Sequence, residues 1–265
     1  MFKEGNDPII ENPTPERVFL LFRLIKTSPG IGKEELFHVI SYPQVFPSEN
    51  KDILDDVIKA ASELGLIYLK DGAFYCTDKT SDINTIDDFR KYSVDTVLLN
   101  KDTKFSKMTS FVLNNYKVFY ENKNAQDMTA AFRSLGGELR EHDLNGWRFW
   151  AVFWGLGYYD GSQKRFIPLF VNRIRNVLFS CSDFYENEKM TFGQFWNKLC
   201  QWVPEIRDFM IQEGTVISSL AADSLMVLEK IGCIEFDRNM DANLWYLLDS
   251  GEVKTPVSHI TIRGN

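Results

Sequence analysis

Residues 147–160 read WRFWAVFWGLGYYD, seven aromatic side chains in fourteen positions with a single arginine among them. Read as a helix ending near Leu156, the stretch places Trp147, Trp150 and Trp154 on one face and Phe149 and Phe153 on an adjacent one, with Gly157 available as a left-handed terminator. Such a helix is apolar nearly all round and is expected to be buried. A membrane span needs about 20 apolar residues, whereas the uncharged run here covers only residues 149–159. The stretch therefore predicts the central core helix of a soluble protein, with its aromatics there for packing.

Working outward towards the start of the chain, residues 1–13 are polar and contain two prolines, which predicts a flexible arm. Thr14 then offers a helix cap with Pro15 at the first helical position. Val18, Leu21, Phe22 and Ile25 recur on one face until Ser28, Pro29 and Gly30 stop the helix. A second helix is expected over residues 33–40 and a strongly amphipathic third over residues 48–64, ended by Gly65. Two short strands, residues 66–70 and 73–77, flank Asp71 and Gly72, a pair suited to a type I′ hairpin turn.

Three helices followed by a hairpin, joined by the segment ELGLIYL at residues 63–69, resemble the winged helix-turn-helix superfamily over residues 14–79. In that superfamily the third helix usually enters the major groove of DNA and the wing touches the backbone. The third helix here departs from that pattern. It carries Glu49, Asp52, Asp55, Asp56 and Glu63 against Lys51 and Lys59, and phosphate neutralisation dominates DNA affinity. A protein-docking winged helix is the expectation, with Asp52, Asp55 and Asp56 as the partner-binding residues.

After a polar linker at residues 80–85, helical periodicity dominates residues 86–212. An all-helical domain with the aromatic core helix at its centre is expected there. Within it Thr191 and Gln194 have the spacing of a capping box. Beyond, a helix over residues 220–230 ends in KIGCIEF, residues 230–236, parallel to ELGLIYL, while residues 244–248 and 258–263 can supply wing strands. The expected fold is mainly α with small β-hairpins, having winged-helix domains at both ends, residues 14–79 and 215–265, of an all-helical middle domain.

Charge sharpens this picture. The chain carries 30 basic and 37 acidic residues, a net charge of −7, which argues against a surface attracted to nucleic acid as a whole. Residues 130–176 run the other way, with Arg133, Arg140, Arg148, Lys164, Arg165, Arg173 and Arg175 against four acids. Arginines interleaved with Trp147, Tyr158 and Tyr159 suit a phosphate backbone with stacked bases. The plainer reading of the same residues is arginines lying over apolar surface with their heads in water.

Signs of catalysis are weak. The four cysteines are widely spaced and none lies near a histidine, so no zinc site is spelled out. Gly30, Gly32 and Lys33 hint at a phosphate loop but follow a helix, and Glu34 stands where a magnesium-holding hydroxyl should be. Glu252 and Lys254, with Asp237, Asp241 and Asp249 upstream, have the residue types of a magnesium-dependent nuclease. The run from Asp249 to Glu252 reads more simply as a turn between wing strands. No catalytic residue, metal or cofactor is expected. The opening residues lack the layout of a signal peptide, which predicts a cytoplasmic protein with free thiols.

With WAVFWGLG at residues 150–157 and a close on Ile260, Thr261, Ile262, Arg263 and Gly264, the whole layout resembles the DpdG type of accessory protein. Those proteins belong to prokaryotic islands that modify DNA or defend against phage. The resemblance implies a non-catalytic, more likely non-enzymatic, subunit that acts with larger helicase or nuclease partners in a prokaryotic anti-phage defence or DNA-processing complex. It docks proteins through winged-helix modules and is compatible with DNA contact and with a homodimer, and no membrane partner is implied. A dimeric winged-helix transcription regulator and the magnesium-dependent nuclease are the alternatives.

Overall fold

The computed structural model describes residues 2, 9–40, 51–98, 103–117, 129–130, 133–134, 140–162, 165–211, 215–239, 241–249 and 253–264. The fold is mainly α-helical with small, largely antiparallel sheets. It divides into two compact units, residues 1–109 with 124–154 and residues 110–123 with 155–265. The aromatic helix thus belongs with the first unit, and the stretch expected to form one helical middle is shared between the two.

The first unit opens on α1 (Pro15–Thr27), where the Thr14 hydroxyl accepts the Arg17 amide and Pro15 takes the first turn. Val18, Leu21, Phe22 and Ile25 are buried, as their spacing requires. There follow β1 (Ile31–Gly32), α2 (Lys33–Ile40), α3 (Lys51–Glu63), β2 (Ile67–Lys70) and β3 (Ala73–Cys76), with α1 packed on α3 and β3. The three strands form a sheet in the order β1-β3-β2, antiparallel throughout. The β2–β3 turn has Asp71 at φ 51° and Gly72 at φ 79°, the two positive values a type I′ turn needs. Residues 80–85 are fastened to α1, because Lys26 Nζ donates to the carbonyls of Ser81 (2.7 Å) and Ile83 (2.9 Å).

Helices α4 (Ile86–Leu98) and α5 (Lys104–Asn114) lead to α6 (Glu141–Phe153), the aromatic helix. Trp147, Trp150 and Trp154 are all at most 1% exposed. Each indole N–H has a fixed acceptor: Thr109 Oγ1 for Trp147, the Pro13 carbonyl for Trp150 and Ser93 Oγ for Trp154. The burial is one-sided, since Phe149 and Val152 are exposed on the opposite face. The helix also ends earlier than periodicity suggested. Gly155, at φ 76°, is the left-handed residue, and Gly157 already lies in a strand.

The expectation of a flexible arm over residues 1–13 fails for the positions described. Phe2 and Ile9 are buried, and Phe2 meets the Trp150 ring edge-on at 4.9 Å. Residues 9–13 lie along α6: Ile9 donates its amide to Asp143, Glu11 accepts from Asn145, and the Pro13 carbonyl takes the Trp150 indole. Polar composition misled here because polar groups of the segment find partners on α6, α3 and α1, the last two through Asn12.

The second unit contains a hairpin of β4 (Gly157–Asp160) and β5 (Arg165–Pro168), so the middle of the chain is not all-helical. Next come α7 (Val171–Ser180), β6 (Lys189–Thr191) and α8 (Phe192–Trp202), the last opened by the Thr191–Gln194 capping box. β7 (Met210–Ile211) and β8 (Val216–Ser218) precede α9 (Ser219–Lys230), and β9 (Ile234–Asp237), β10 (Trp245–Leu248), β11 (Lys254–Val257) and β12 (His259–Ile262) complete the chain. One sheet runs β6-β12-β9 and another β11-β10-β8-β7, the latter with a parallel β8–β10 pair. Taken through α7, β6, α8, α9, β9 and β12, this unit repeats the helix, strand, helix, helix, strand, strand order of residues 15–76, with the same 1-3-2 sheet order. The repeat begins well before residue 215, and Trp245–Leu248, expected in the wing, pairs within the added sheet.

A smaller unit occurs three times. Helices α3, α6 and α9 each end just ahead of a left-handed glycine, Gly65 (φ 70°), Gly155 (φ 76°) and Gly232 (φ 79°). In each case a buried residue follows, Leu66, Leu156 or Cys233, and a four-residue strand begins two positions after the glycine. The residue after the returning strand then donates its amide to that buried residue's carbonyl. These bonds are Thr77 to Leu66 (3.0 Å), Leu169 to Leu156 (3.0 Å) and Arg263 to Cys233 (2.8 Å).

Candidate partner-binding and nucleic-acid-binding surfaces

The acidic face of α3 exists as the sequence suggests, but its carboxylates are not equivalent. Asp52 and Asp55 are exposed and Asp56 is half-buried. Asp55 pairs with Lys33 at 2.5 Å, and Asp56 accepts from the Asn12 amide at 2.7 Å, which ties it to the arm. Glu63, at the end of the same helix, accepts the backbone amide of Phe2 at 2.8 Å. Asp52 and Asp55 are thus the outward carboxylates of the helix, with Asp55 partly neutralised by Lys33.

Its counterpart α9 has a different surface. Leu220, Ala221, Ala222, Ser224, Leu225 and Leu228 are buried against α7 and the added sheet. What remains outward near the end of the helix is Val227, 36% exposed, Lys230, and Ile231, 54% exposed. A helix packed on this much of its circumference, with Lys230 as its one exposed cation, suits protein contact better than a DNA groove.

The seven basic residues of the middle do not share one surroundings. Arg133, Arg140 and Arg148 belong to the first unit, and Arg165, Arg173 and Arg175 to the second. Lys164 lies outside the described residues. The Arg140 side chain is 66% exposed and stands 3.7 Å from Asp143. The Arg148 guanidinium lies over the ring of its neighbour Phe149, 5.3 Å from the centroid. Arg165 sits in β5 opposite Asp160, beside a strand that exposes Tyr158 and Tyr159. Arg175 is half-buried on α7.

Arg173 departs from the expected role. It is 7% exposed, and its Nε donates to Glu205 at 2.8 Å while a terminal nitrogen donates to the Trp202 carbonyl at 2.8 Å. The guanidinium is used inside the unit, where it holds α7 against the end of α8, so it is not available to a phosphate. The missing signal in the sequence was its partner, since Glu205 lies 32 positions away.

Asp143 is the buried carboxylate that sequence reading missed. It is 1% exposed, accepts the amides of Ile9 and Arg140, and pairs with Lys104 Nζ at 2.7 Å. Burial pushes its pKa up, but the Lys104 ammonium and the two amides outweigh that and hold it below the usual carboxylate value. Its partners are structural, and the arrangement is a lock between the arm and α6.

The nuclease candidates are only partly described. Glu252 lies outside the described residues, Lys254 is exposed on β11, and Asp237 is engaged by Lys189 at 2.6 Å. Gly30, Ile31 and Gly32 form a turn and the short edge strand β1, with the Gly30 amide bonded to the Phe74 carbonyl. Among the described residues no group of three or more His, Cys, Asp or Glu is placed to hold a metal ion, and no helix is long and apolar enough to cross a membrane. The four cysteines are unpaired. Comparison of the chain with protein-family models, with characterised proteins and with solved structures finds no match.

Proposed function

We propose that the chain is a non-catalytic accessory subunit of a prokaryotic DNA-processing or anti-phage defence complex, working in the cytoplasm. In this reading it docks partner proteins through winged-helix modules. The observation that carries the reading is the repeated order of helix, strand, helix, helix, strand, strand with a 1-3-2 sheet, in residues 15–76 and again from α7 to β12. That is the chain order of a winged helix. The third helix of each copy, α3 or α9, exposes a single lysine among the described residues, Lys59 or Lys230, where a DNA reader presents several cations.

DNA contact, in the same proposal, falls to Arg133, Arg140, Arg148, Arg165 and Arg175, with Tyr158 and Tyr159 as stacking surfaces. The test is binding of the purified chain to a labelled random duplex and to single strands across a salt series. Alanine replacements of Arg140 with Arg148, and of Arg165 with Arg175, are measured beside it. The reading expects a salt-dependent affinity whose slope falls in either double variant. Absence of binding at low salt removes DNA from the proposal and leaves protein docking through Asp52 and Asp55. Tight binding to one short palindrome favours the transcription regulator instead.

A further inference from the structure

An edge strand offers unpaired amides and carbonyls to any other strand, and proteins usually close that opening. Most edges of this chain are closed in identifiable ways. β1 and β7 are two residues long. On β6 the Thr191 amide is taken by Gln194 at 3.1 Å, and on β9 the Phe236 amide is taken by Glu229 at 3.4 Å. On β11 the register with β10 turns Pro256 outward, and proline has no N–H to offer.

The outer edge of β2 is open. Leu69 faces Phe74 in β3, and the Phe74 carbonyl turns the other way, to the Gly30 amide at 2.9 Å. The pair 69–74 therefore exchanges no bonds within the hairpin, and the Leu69 N–H and C=O point away from β3. Neither has a partner among the described residues. Leu69 holds the place in β2 that Phe236 holds in β9, four positions past the left-handed glycine, but Ser62 stands where Glu229 would supply the cap. The surface is apolar as well, with Leu69 62% exposed and Tyr68 45% exposed, the latter stacked on Tyr75 at 5.7 Å. Lys70 is exposed and Ile67 buried, so the open stretch runs from Tyr68 to Lys70.

We propose that this edge pairs antiparallel with the same edge of a second copy, about a two-fold axis at Leu69, joining two three-stranded sheets into one. The occupant follows from self-complementarity. Each Leu69 gives its N–H to the other's carbonyl, and the two exposed side chains cover one another. The same register sets Tyr68 of each copy opposite Lys70 of the other, so each ammonium meets an aromatic face. Slipping by two residues one way sets Lys70 against Lys70, and slipping the other way calls on the main chain of buried Ile67. Charge and burial thus select one register. The contact is small, so the dimer is weak and grows by mass action.

The test is light scattering of the full chain from micromolar to millimolar protein, wild type beside Leu69→Pro. Proline there removes an amide that the hairpin does not use, as Pro256 does on β11, and thermal unfolding checks that the variant is folded. The expected result is a wild-type dimer that rises with concentration and a variant whose association is at least several-fold weaker. Cross-linking supplies an independent measure. Leu69→Cys should form a disulfide-linked dimer on mild oxidation several-fold faster than Tyr68→Cys, with wild type as control for the native thiols. Residue 69 meets its own copy at the axis, where Cα atoms of a bonded pair lie about 5.5 Å apart, within disulfide reach. A wild-type monomer at millimolar concentration, a dimer that folded Leu69→Pro leaves intact, or equal cross-linking of the two cysteine variants overturns the proposal.

Discussion

The carboxylate of Asp143 accepts the main-chain amide of Ile9 at 2.8 Å, a bond between residues 134 positions apart. Lys104 completes the arrangement at 2.7 Å. One buried charge therefore fixes the arm, the start of α5 and the first turn of α6 together, and its loss should be felt in all three.

Asp143→Asn should destabilise the first unit by about 3–5 kcal/mol at neutral pH, the usual cost of breaking a buried pair from one side. Urea unfolding at pH 7 measures this. Because the folded pKa lies below the unfolded one, the stability Asp143 contributes is complete above the ordinary carboxylate pKa of about 3.9 and is lost as pH falls through the folded value. Part of the acid limb of the wild-type stability curve should accordingly be missing in the Asn variant. An unchanged acid limb would show that Asp143 is not the titrating group.

At Gly146 two effects oppose each other. Alanine in a helix interior gains up to about 1 kcal/mol over glycine, but its Cβ would press on the Ile10 carbonyl. Backbone cannot yield as a flexible side chain does, so Gly146→Ala should cost about 1–3 kcal/mol net. It should also open residues 9–13 to limited proteolysis, and a variant as resistant as wild type would contradict this contact.

Two of the left-handed glycines, Gly155 and Gly232, should rank by surroundings. Gly232 has nothing within 4 Å of an added Cβ, so Gly232→Ala should cost only the conformational penalty, about 1–2 kcal/mol. Gly155→Ala carries the same penalty and adds a clash, its Cβ standing 2.8 Å from the Arg173 amide nitrogen. Thermal unfolding of both variants should place Gly155→Ala clearly lower.

Arg173 and Arg175 are two positions apart and should separate completely. Arg173→Ala leaves Glu205 buried without its guanidinium, a loss of about 3–5 kcal/mol, while Arg175→Ala, at a half-buried position, should cost clearly less. Denaturant titrations of the two single variants decide it. Any drop in DNA affinity on Arg173→Ala then follows unfolding.

Cys200 should alkylate more slowly than Cys76. Burial pushes its pKa up to about 11, although Arg207 nearby acts the other way. Mass spectrometry after brief iodoacetamide treatment at pH 7.5 should find Cys76, half-buried, labelled well before Cys200.

Local signals were legible in the sequence. Thr14 and Pro15 mark the start of α1, Asp71 and Gly72 the hairpin turn, and Thr191 with Gln194 the start of α8, because each is settled within four residues. Long-range pairing was not. β12 closes on both β6 and β9, and no local pattern says that Ile260 will face Met190. The same holds for the surfaces. The acidity of α3 could be counted, whereas the burial of Arg173 depended on Glu205 and the fixing of the arm on Asp143.

The threefold closing bond, from Thr77, Leu169 and Arg263 back to Leu66, Leu156 and Cys233, runs between backbone atoms and leaves the intervening chain free to vary. In the third copy that freedom is already used: the strands β10 and β11 lie between the paired strands β9 and β12, and the clasp still closes. For protein engineering this makes the hairpin tip at Asp71 and Gly72 a permissive graft point, where a reporter or a foreign binding domain can be spliced in without unlatching the module beneath it.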